Sequence, residues 1–300
     1  MATILIAGAT GTIGKALISK LKSNHRIHIL TRNKSLISLP NYFYWNPEKH
    51  EIDLEAFKDV NHVINLSGEN IGKKRWTKIQ KQKITQSRID STQTLVSAIN
   101  TNNIEISSFI NASAVGYYGT ASSDYICNED SPFGTDFLAQ TSVKWEDEAL
   151  RINNKNIRRI IIRTGIVLDK SSGVILELQK SLSYKILPIF GNGNQYMPWI
   201  HIDDLCNMYK YCIDNNSISG IYNAVASEHC TNKSFIQTIK KVSPTFAFIF
   251  KIPSWFLHII FGEMASILVS GNKVSNKKIV DSGFTFTFDT LQKAILDLIK

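Results

Sequence analysis

The chain has 300 residues, 43% of them hydrophobic, and a formal net charge of +9. That is enough apolar material for one large α/β core, or for a core domain with a smaller second lobe, and it excludes a disordered or fibrous chain. The lysines are spread along the sequence, densest from Lys73 to Lys83, and no aromatic residues interleave with them in an RNA-binding pattern. The excess charge therefore reads as a solvated basic face, and no nucleic-acid partner is expected.

The first element is the most informative. Ile4, Leu5 and Ile6 form an apolar, β-branched run suited to a buried strand. Gly8, Gly11 and Gly14 follow at three-residue spacing, and Ile13, Ala16, Leu17 and Leu21 then recur with helical period. Strand, glycine turn and helix open a dinucleotide-binding βαβ unit. Gly8 permits the sharp turn, Gly11 lets backbone N–H groups approach a pyrophosphate, and Gly14 lets helix and strand pack closely. Thr10, Thr12 and Ile13 complete the loop that faces the phosphates, at a helix start whose unpaired N–H groups favour anions.

The second strand, Arg26 to Leu30, ends in Thr31-Arg32 with no carboxylate nearby. Many NAD sites place an acid there for the ribose 2′-hydroxyl, whereas an arginine pairs with a 2′-phosphate. NADP is expected, with NAD still admitted; the competing reading of Arg32 is one more surface cation. Tyr42 to Trp45 is a short third strand, and His62 to Asn65 a fourth, ending in Leu66, Ser67, Gly68 and Glu69. Small residues at that strand end suit a chain running beside the cofactor ribose, or simply a tight turn. Thr77 to Asn100 reads as a long polar helix with Ile84, Leu95, Val96 and Ile99 inward.

Ser107 to Ser113 is the fifth strand, Phe137 to Ile152 a helix with Leu138, Trp145 and Ala149 on one side, and Ile157 to Thr164 the sixth strand. Strands alternating with helices predict a doubly wound parallel sheet, with ligands beyond the C-terminal strand ends. Beyond Ser171 the pattern is less regular. Asp203 is expected to cap a helix running to Asn215, Thr231 a helix over residues 232–242, and the last helix spans residues 290–299. Gly220 to Ala224 reads as a strand. Tyr196 and Trp199 line a substrate pocket or pack beneath a lobe loop. His201, Asp203 and Asp204 are explained by capping and dipole compensation, so no metal site is expected. The division predicted is a cofactor domain over 1–168 and, over 169–300, mainly a substrate lobe with some segments returning to the core.

Cys127, Cys206, Cys212 and Cys230 show neither metal-ligand spacing nor a disulfide framework, which suits reduced thiols in a cytoplasmic protein. The N-terminus runs directly into the first strand, leaving no room for a targeting segment. Phe246 to Phe261 is the most apolar late stretch, but Lys251, Pro253 and His258 make it a poor membrane span. An amphipathic helix covering the lobe is expected there, with no membrane partner, a small-molecule substrate, and a monomer or homodimer.

G-A-T-G-T-I-G, N-L-S-G-E-N-I with R-W, S-R-I-D-S-T, A-S-A-V-G-Y-Y-G, R-T-G-I-V-L, W-I-H-I-D-D-L, F-G-E-M-A and the late G-F-T-F together resemble the NAD(P)-dependent epimerase/dehydratase-like branch of the extended short-chain dehydrogenases. The narrower likeness is to the sugar-nucleotide-epimerase-like subgroup, and it runs from Ile4 to Phe286. The resemblance implies a Rossmann-type sheet, an NADP-type cofactor and a C-terminal lobe that closes over a substrate. It also implies a catalytic tyrosine, a lysine four residues later, and a serine at the fifth strand end. Ser113 matches the serine, and Arg163, Thr164 and Gly165 end the strand near the nicotinamide. If Lys144 is the lysine, Gln140 stands at the tyrosine position; one residue back, Ala139 and Val143 stand there instead. Tyr117 or Tyr118 is the alternative phenol, either giving a proton or only packing beside substrate and cofactor, while Lys144 is otherwise a solvated side chain. Glu69, Arg75 and Arg88 reach substrate or phosphates, or are structural. Two functions follow: an NADP-dependent oxidoreductase or epimerase on a hydroxyl- or carbonyl-bearing substrate, including a nucleotide sugar, or a cofactor-binding protein with little turnover.

Overall fold

A computed structural model of the chain describes residues 1–120 and 124–299. Its strands are β1 (Thr3–Ala7), β2 (Arg26–Thr31), β3 (Tyr42–Asn46), β4 (Glu51–Ile52), β5 (His62–Asn65), β6 (Ser108–Ala114), β7 (Ile126–Cys127), β8 (Arg158–Thr164), β9 (Ile166–Leu168), β10 (Ile186–Phe190), β11 (Trp199–His201), β12 (Gly220–Ala224), β13 (Phe248–Ile252) and β14 (Lys273–Val274). The helices are α1 (Thr12–Leu21), α2 (Lys78–Thr101), α3 (Phe137–Ala149), α4 (Gly173–Ser183), α5 (Ile202–Asp214), α6 (Asn232–Val242), α7 (Ser254–Phe261), α8 (Ser266–Val269), α9 (Lys277–Asp281) and α10 (Leu291–Ile299).

Eight strands form one sheet in the order β12-β8-β6-β5-β1-β2-β3-β4, parallel except for the edge pair β3 and β4. From β1 the chain first builds outward through β2 and β3, then returns to the other side of β1 as β5. That reversal leaves a crevice at the carboxyl ends of β1 and β5. The alternation along β1 explains why it is central. Ile4 and Ile6 join a core cluster with Leu17 and Leu21 of α1 and Leu205, Met208 and Tyr209 of α5. Leu5 and Ala7 join another with Leu95, Val96 and Ile99 of α2 and Ala149 of α3. A strand apolar on both faces needs helices on both faces. A third cluster gathers Leu178, Leu187, Trp199, Phe235, Leu291 and Ile295.

The expected elements of the sheet and its helices are present, with ends displaced by at most a few residues. Thr77 accepts the Gln80 N–H, Asp136 the Ala139 N–H, and Thr231 forms a capping box with Ser234. Two expectations are corrected. The cap of α5 is His201, whose Nδ1 accepts the Asp203 N–H at 3.2 Å. Asp203 lies in the first turn, and buried Asp204 instead accepts the Thr287 and Phe288 N–H groups at 2.9 and 2.8 Å. The stretch from Phe246 to Phe261 is not one helix. It divides at Pro253 into β13 and α7, because proline disfavours helix in the residue before it and cannot donate within one. The short pairs β9 with β11 and β7 with β14 have too few residues to show a period in the sequence, and the five-residue strands β10 and β13 were not expected.

Candidate active site

The turn after β1 is shaped by backbone contact. Gly8 has φ of +84°, and a Cβ there would lie 2.7 Å from the Leu66 carbonyl carbon at the end of β5. A Cβ on Gly14 would lie 2.4 Å from the Gly8 oxygen. Gly11 is the N-cap of α1, with Thr10 and Gly11 exposed, Thr12 and Ile13 half-buried, and no acidic side chain in the first turn. The unpaired N–H groups of that turn thus face the crevice without a competing negative charge. The Ser67 hydroxyl is buried at the adjacent strand end with no hydrogen-bond partner. A glycine cradle, an acid-free helix start and an orphaned hydroxyl fit the diphosphate and a ribose of a dinucleotide.

Arg32 stands exposed at the end of β2, its Nη1 only 3.9 Å from an equally exposed Glu48. Such a pair contributes little and leaves the guanidinium available. Leu66 and Ser67 are half-buried and Gly68 is exposed. Glu69 is tied to α2: its N–H donates to Ser87 Oγ at 2.9 Å, and Arg88 Nη1 donates to its carbonyl at 3.0 Å. Burial lowers Arg88 to about 10, although Glu69 opposes the shift, and its guanidinium lies 5.1 Å from the Trp145 ring centroid.

Ser113 ends β6 inside a buried polar network. Its hydroxyl donates to Glu146 Oε1 at 2.5 Å. Arg163 of β8 grips the same carboxylate through Nε at 2.9 Å and Nη2 at 2.8 Å. Its Nη1 donates to the Tyr118 oxygen and to the Glu129 carbonyl, both at 3.1 Å. Tyr118 in turn donates to Asn223 Oδ1 at 2.7 Å, and the Asn223 N–H donates to Glu129 Oε1 at 2.8 Å. Arg163 is 1% exposed, Glu146 4% and Ser113 3%, so no solvent competes for these bonds. Burial alone would lower the Arg163 pKa, but the hydrogen bonds and charge of Glu146 outweigh it and raise it. Burial raises the Tyr118 pKa despite Arg163. With its proton given to Asn223 and its lone pair to Arg163, the Tyr118 phenol is a fixed strut, ill suited to proton transfer near neutral pH. The half-buried ring of Tyr117 stacks on Arg163, 3.4 Å from guanidinium carbon to centroid.

Lys144 is not brought to this network. On α3, Leu138, Ser142 and Glu146 recur every four residues; Leu138 approaches Gly116 and Glu146 reaches Ser113. Gln140 and Lys144 lie two residues out of that phase and are exposed. The inward face of α3 therefore carries neither tyrosine nor lysine. Glu146 is the residue sequence reasoning missed; its only signal was an acid beside buried Trp145 in an otherwise inward-facing stretch. Thr164 is buried, and Gly165 crosses the Pro198 carbonyl so closely that a Cβ would meet it at 2.4 Å. Trp199 does not line a pocket: it is 1% exposed, within the third core cluster. Tyr196 donates to Asp124 at 3.2 Å, with the Lys273 ammonium 4.7 Å from its ring centroid.

Comparison with known proteins agrees with this geometry. Residues 4–224 match the NAD dependent epimerase/dehydratase family, and residues 252–298 match a domain of unknown function, DUF1731. The epimerase family protein YfhF of Bacillus subtilis is 33% identical over 301 residues, covering 99% of this chain and 97% of that one. The mouse epimerase family protein SDR39U1 is 30% identical over 302 residues, covering 99% of each. The crystal structure of human SDR39U1 (isoform 2) with NADPH superimposes with a TM-score of 0.88 at 28% identity, covering 99% of both chains. UDP-glucuronic acid 4-epimerase from Bacillus cereus in complex with NAD shares the fold, with a TM-score of 0.75 at 20% identity, 99% of this chain and 98% of that one being covered. A parallel sheet reversing at β1, a glycine turn against β5 and these full-length matches together place the chain in the NAD dependent epimerase/dehydratase family.

Proposed function

We propose that the chain is an NADP(H)-dependent oxidoreductase or epimerase acting on a small hydroxyl- or carbonyl-bearing substrate, with residues 1–168 holding the cofactor and the remainder mainly covering the substrate. The observation that carries this reading is the Gly8–Gly14 cradle beside the unpartnered Ser67 hydroxyl. Arg32 supports a 2′-phosphate, and the NADPH named with the human SDR39U1 structure points the same way. Thr10, Thr12 and Ile13 surround the diphosphate; Leu66, Ser67 and Gly68 follow the nicotinamide-side ribose; Thr164 and Gly165 flank the ring. Bound NADP would supply or accept hydride at the nicotinamide.

The proton is managed by Ser113. A serine hydroxyl has one proton, and here it is committed to Glu146. Toward the crevice Ser113 can only accept, so it receives the O–H of a substrate alcohol. As a carbonyl forms, that proton passes to Ser113 Oγ and the serine proton to Glu146 Oε1; reduction runs the same shift in reverse. Arg163 fixes the carboxylate and is a positioning residue. Tyr117 borders the substrate, whereas Tyr118 only braces Arg163.

The experiment measures NADPH and NADH binding by calorimetry, then NADPH oxidation across a panel of carbonyl compounds. NADPH should bind more tightly than NADH, and Arg32→Glu should remove that preference by weakening NADPH about tenfold or more. Equal loss of both coenzymes would show Arg32 to be a surface cation. The second reading, a coenzyme-binding protein with little turnover, draws on the absence of tyrosine and lysine from the inward face of α3. Tight NADPH binding with no oxidation by any member of the panel would select it.

A further inference from the structure

We propose that the exposed aromatic face of the C-terminal lobe docks on the surface of an anionic lipid bilayer. The sequence led us to expect an amphipathic helix covering the lobe here, with no membrane partner; the structure leaves an aromatic face exposed. Phe246, Phe248 and Phe250 are 64%, 66% and 60% exposed. Phe248 pairs in register with exposed Ile186, and Phe250 with half-buried Pro188, while the Phe246 and Phe248 rings meet edge to face at 4.9 Å. One strand later, α7 turns Leu257 inward and exposes Trp255, Phe256, Ile259 and Ile260. These residues lie at i, i+1, i+4 and i+5, one stripe of a helix. Single exposed apolar side chains need no explanation, but three at alternate positions running into β13 and four on one helix stripe mark an interaction surface.

Charge selects the occupant. Residues 178–202 and 229–262, which supply both strands and the helix, contain no Asp or Glu. They do contain Lys180, Lys185, Lys240, Lys241 and Lys251, and all are exposed. Among the described residues, no carboxylate pairs with Lys185, Lys240, Lys241 or Lys251. Lys185 lies immediately before β10, and its carbonyl accepts the Phe248 N–H at 2.8 Å. Lys251 follows Phe250 in β13, so it alternates to the other strand face, and it is exposed where the strand leads into α7. Exposed aromatic and branched apolar side chains on segments that carry unpaired lysines and no acid complement acyl chains beneath anionic headgroups. No helix among the described residues is long and apolar enough to cross a membrane, so the contact is with one leaflet.

The test is co-sedimentation of the full chain with vesicles of phosphatidylcholine alone and of phosphatidylcholine containing about a third phosphatidylglycerol. The chain should pellet with the anionic vesicles and remain largely free of the neutral ones. Phe248→Ser with Phe250→Ser should weaken binding about tenfold or more, and Trp255→Ser with Ile259→Ser similarly. Lys185→Glu with Lys251→Glu should weaken it about fivefold per site and remove its salt sensitivity. All six side chains are exposed, and unchanged melting curves would confirm that the variants fold. No pelleting with anionic vesicles at low salt overturns the proposal, as does binding that the aromatic variants leave intact. So does a self-associated wild type that ignores vesicles and becomes monomeric in the same variants, which would assign the face to a second copy of the chain. None of these readouts depends on coenzyme or turnover.

Discussion

Arg163 directs four guanidinium bonds to protein partners, two to Glu146 and one each to Tyr118 and Glu129. Removing one member of a buried ion pair leaves the other charge uncompensated, at a cost of about 3–5 kcal/mol. Arg163→Met should therefore lower the urea midpoint strongly. Glu146→Gln keeps the shape and an acceptor oxygen but no negative charge, so it should cost less. The two variants separate structure from chemistry. If Glu146 takes the serine proton, Glu146→Gln loses turnover with a changed pH profile while NADPH affinity is retained. Turnover unchanged in Glu146→Gln would remove the carboxylate from the mechanism and leave it a brace for Arg163. Gly8 permits a comparably sharp test. At φ of +84° with backbone 2.7 Å from any Cβ, Gly8→Ala should cost about 1–3 kcal/mol and weaken coenzyme binding. Retained stability and binding would show that the turn relaxes freely.

At the scale of elements, β5 and β6 are joined by a buried pair, His62 Nδ1 and Ser108 Oγ at 2.8 Å. Burial lowers the His62 pKa to about 4, with Arg158 acting in the same direction. Because the folded value lies below the unfolded 6.5, the unfolded chain binds the proton more readily. Stability is complete above about pH 6.5 and falls as pH drops toward 4, by about 3 kcal/mol from this group. Burial lowers His25, His201 and His229 as well, adding loss of the same sign. Denaturant titrations between pH 7 and pH 4 should show the decline, and His62→Gln should flatten it. An unchanged slope in that variant would place the acid sensitivity elsewhere. Cap residues behave more locally: Thr231, at the capping box of α6, was legible because a threonine ahead of a helical period has few other roles. The misread cap at α5 has the opposite cause. Histidine is a rare capping residue, so His201 gave no sign that its ring nitrogen would turn to the Asp203 N–H.

For the molecule as a whole, coenzyme binding should stabilise the fold by mass action. Arg75 approaches Gly262, and Lys81 bonds Glu263 at 2.8 Å, so the start of α2 and the loop before it meet the segment after α7. A ligand that binds only the folded chain at about a hundred times its dissociation constant adds about 2.7 kcal/mol. Saturating NADPH should therefore raise the melting temperature by a few degrees, and NADH by less. Identical curves with and without NADPH would remove coenzyme binding from the account.

The sequence by itself determined the parallel sheet, the glycine turn and most helix starts. These rest on local rules: the period of apolar residues, glycine where Cβ has no room, and a hydroxyl or carboxylate at a helix end. Strand ends in such a sheet meet one crevice, which singled out the stretch around Ser113, and the family resemblance then marked Ser113 as the serine. Only the tertiary structure decided that Glu146 rather than Lys144 meets Ser113, since a shift of two residues on one helix turns a side chain to the opposite face. It alone showed Trp199 to be core, because pocket and core aromatics have the same local pattern. It alone left the Phe248 face uncovered, because whether an apolar surface finds a partner depends on residues distant in the chain.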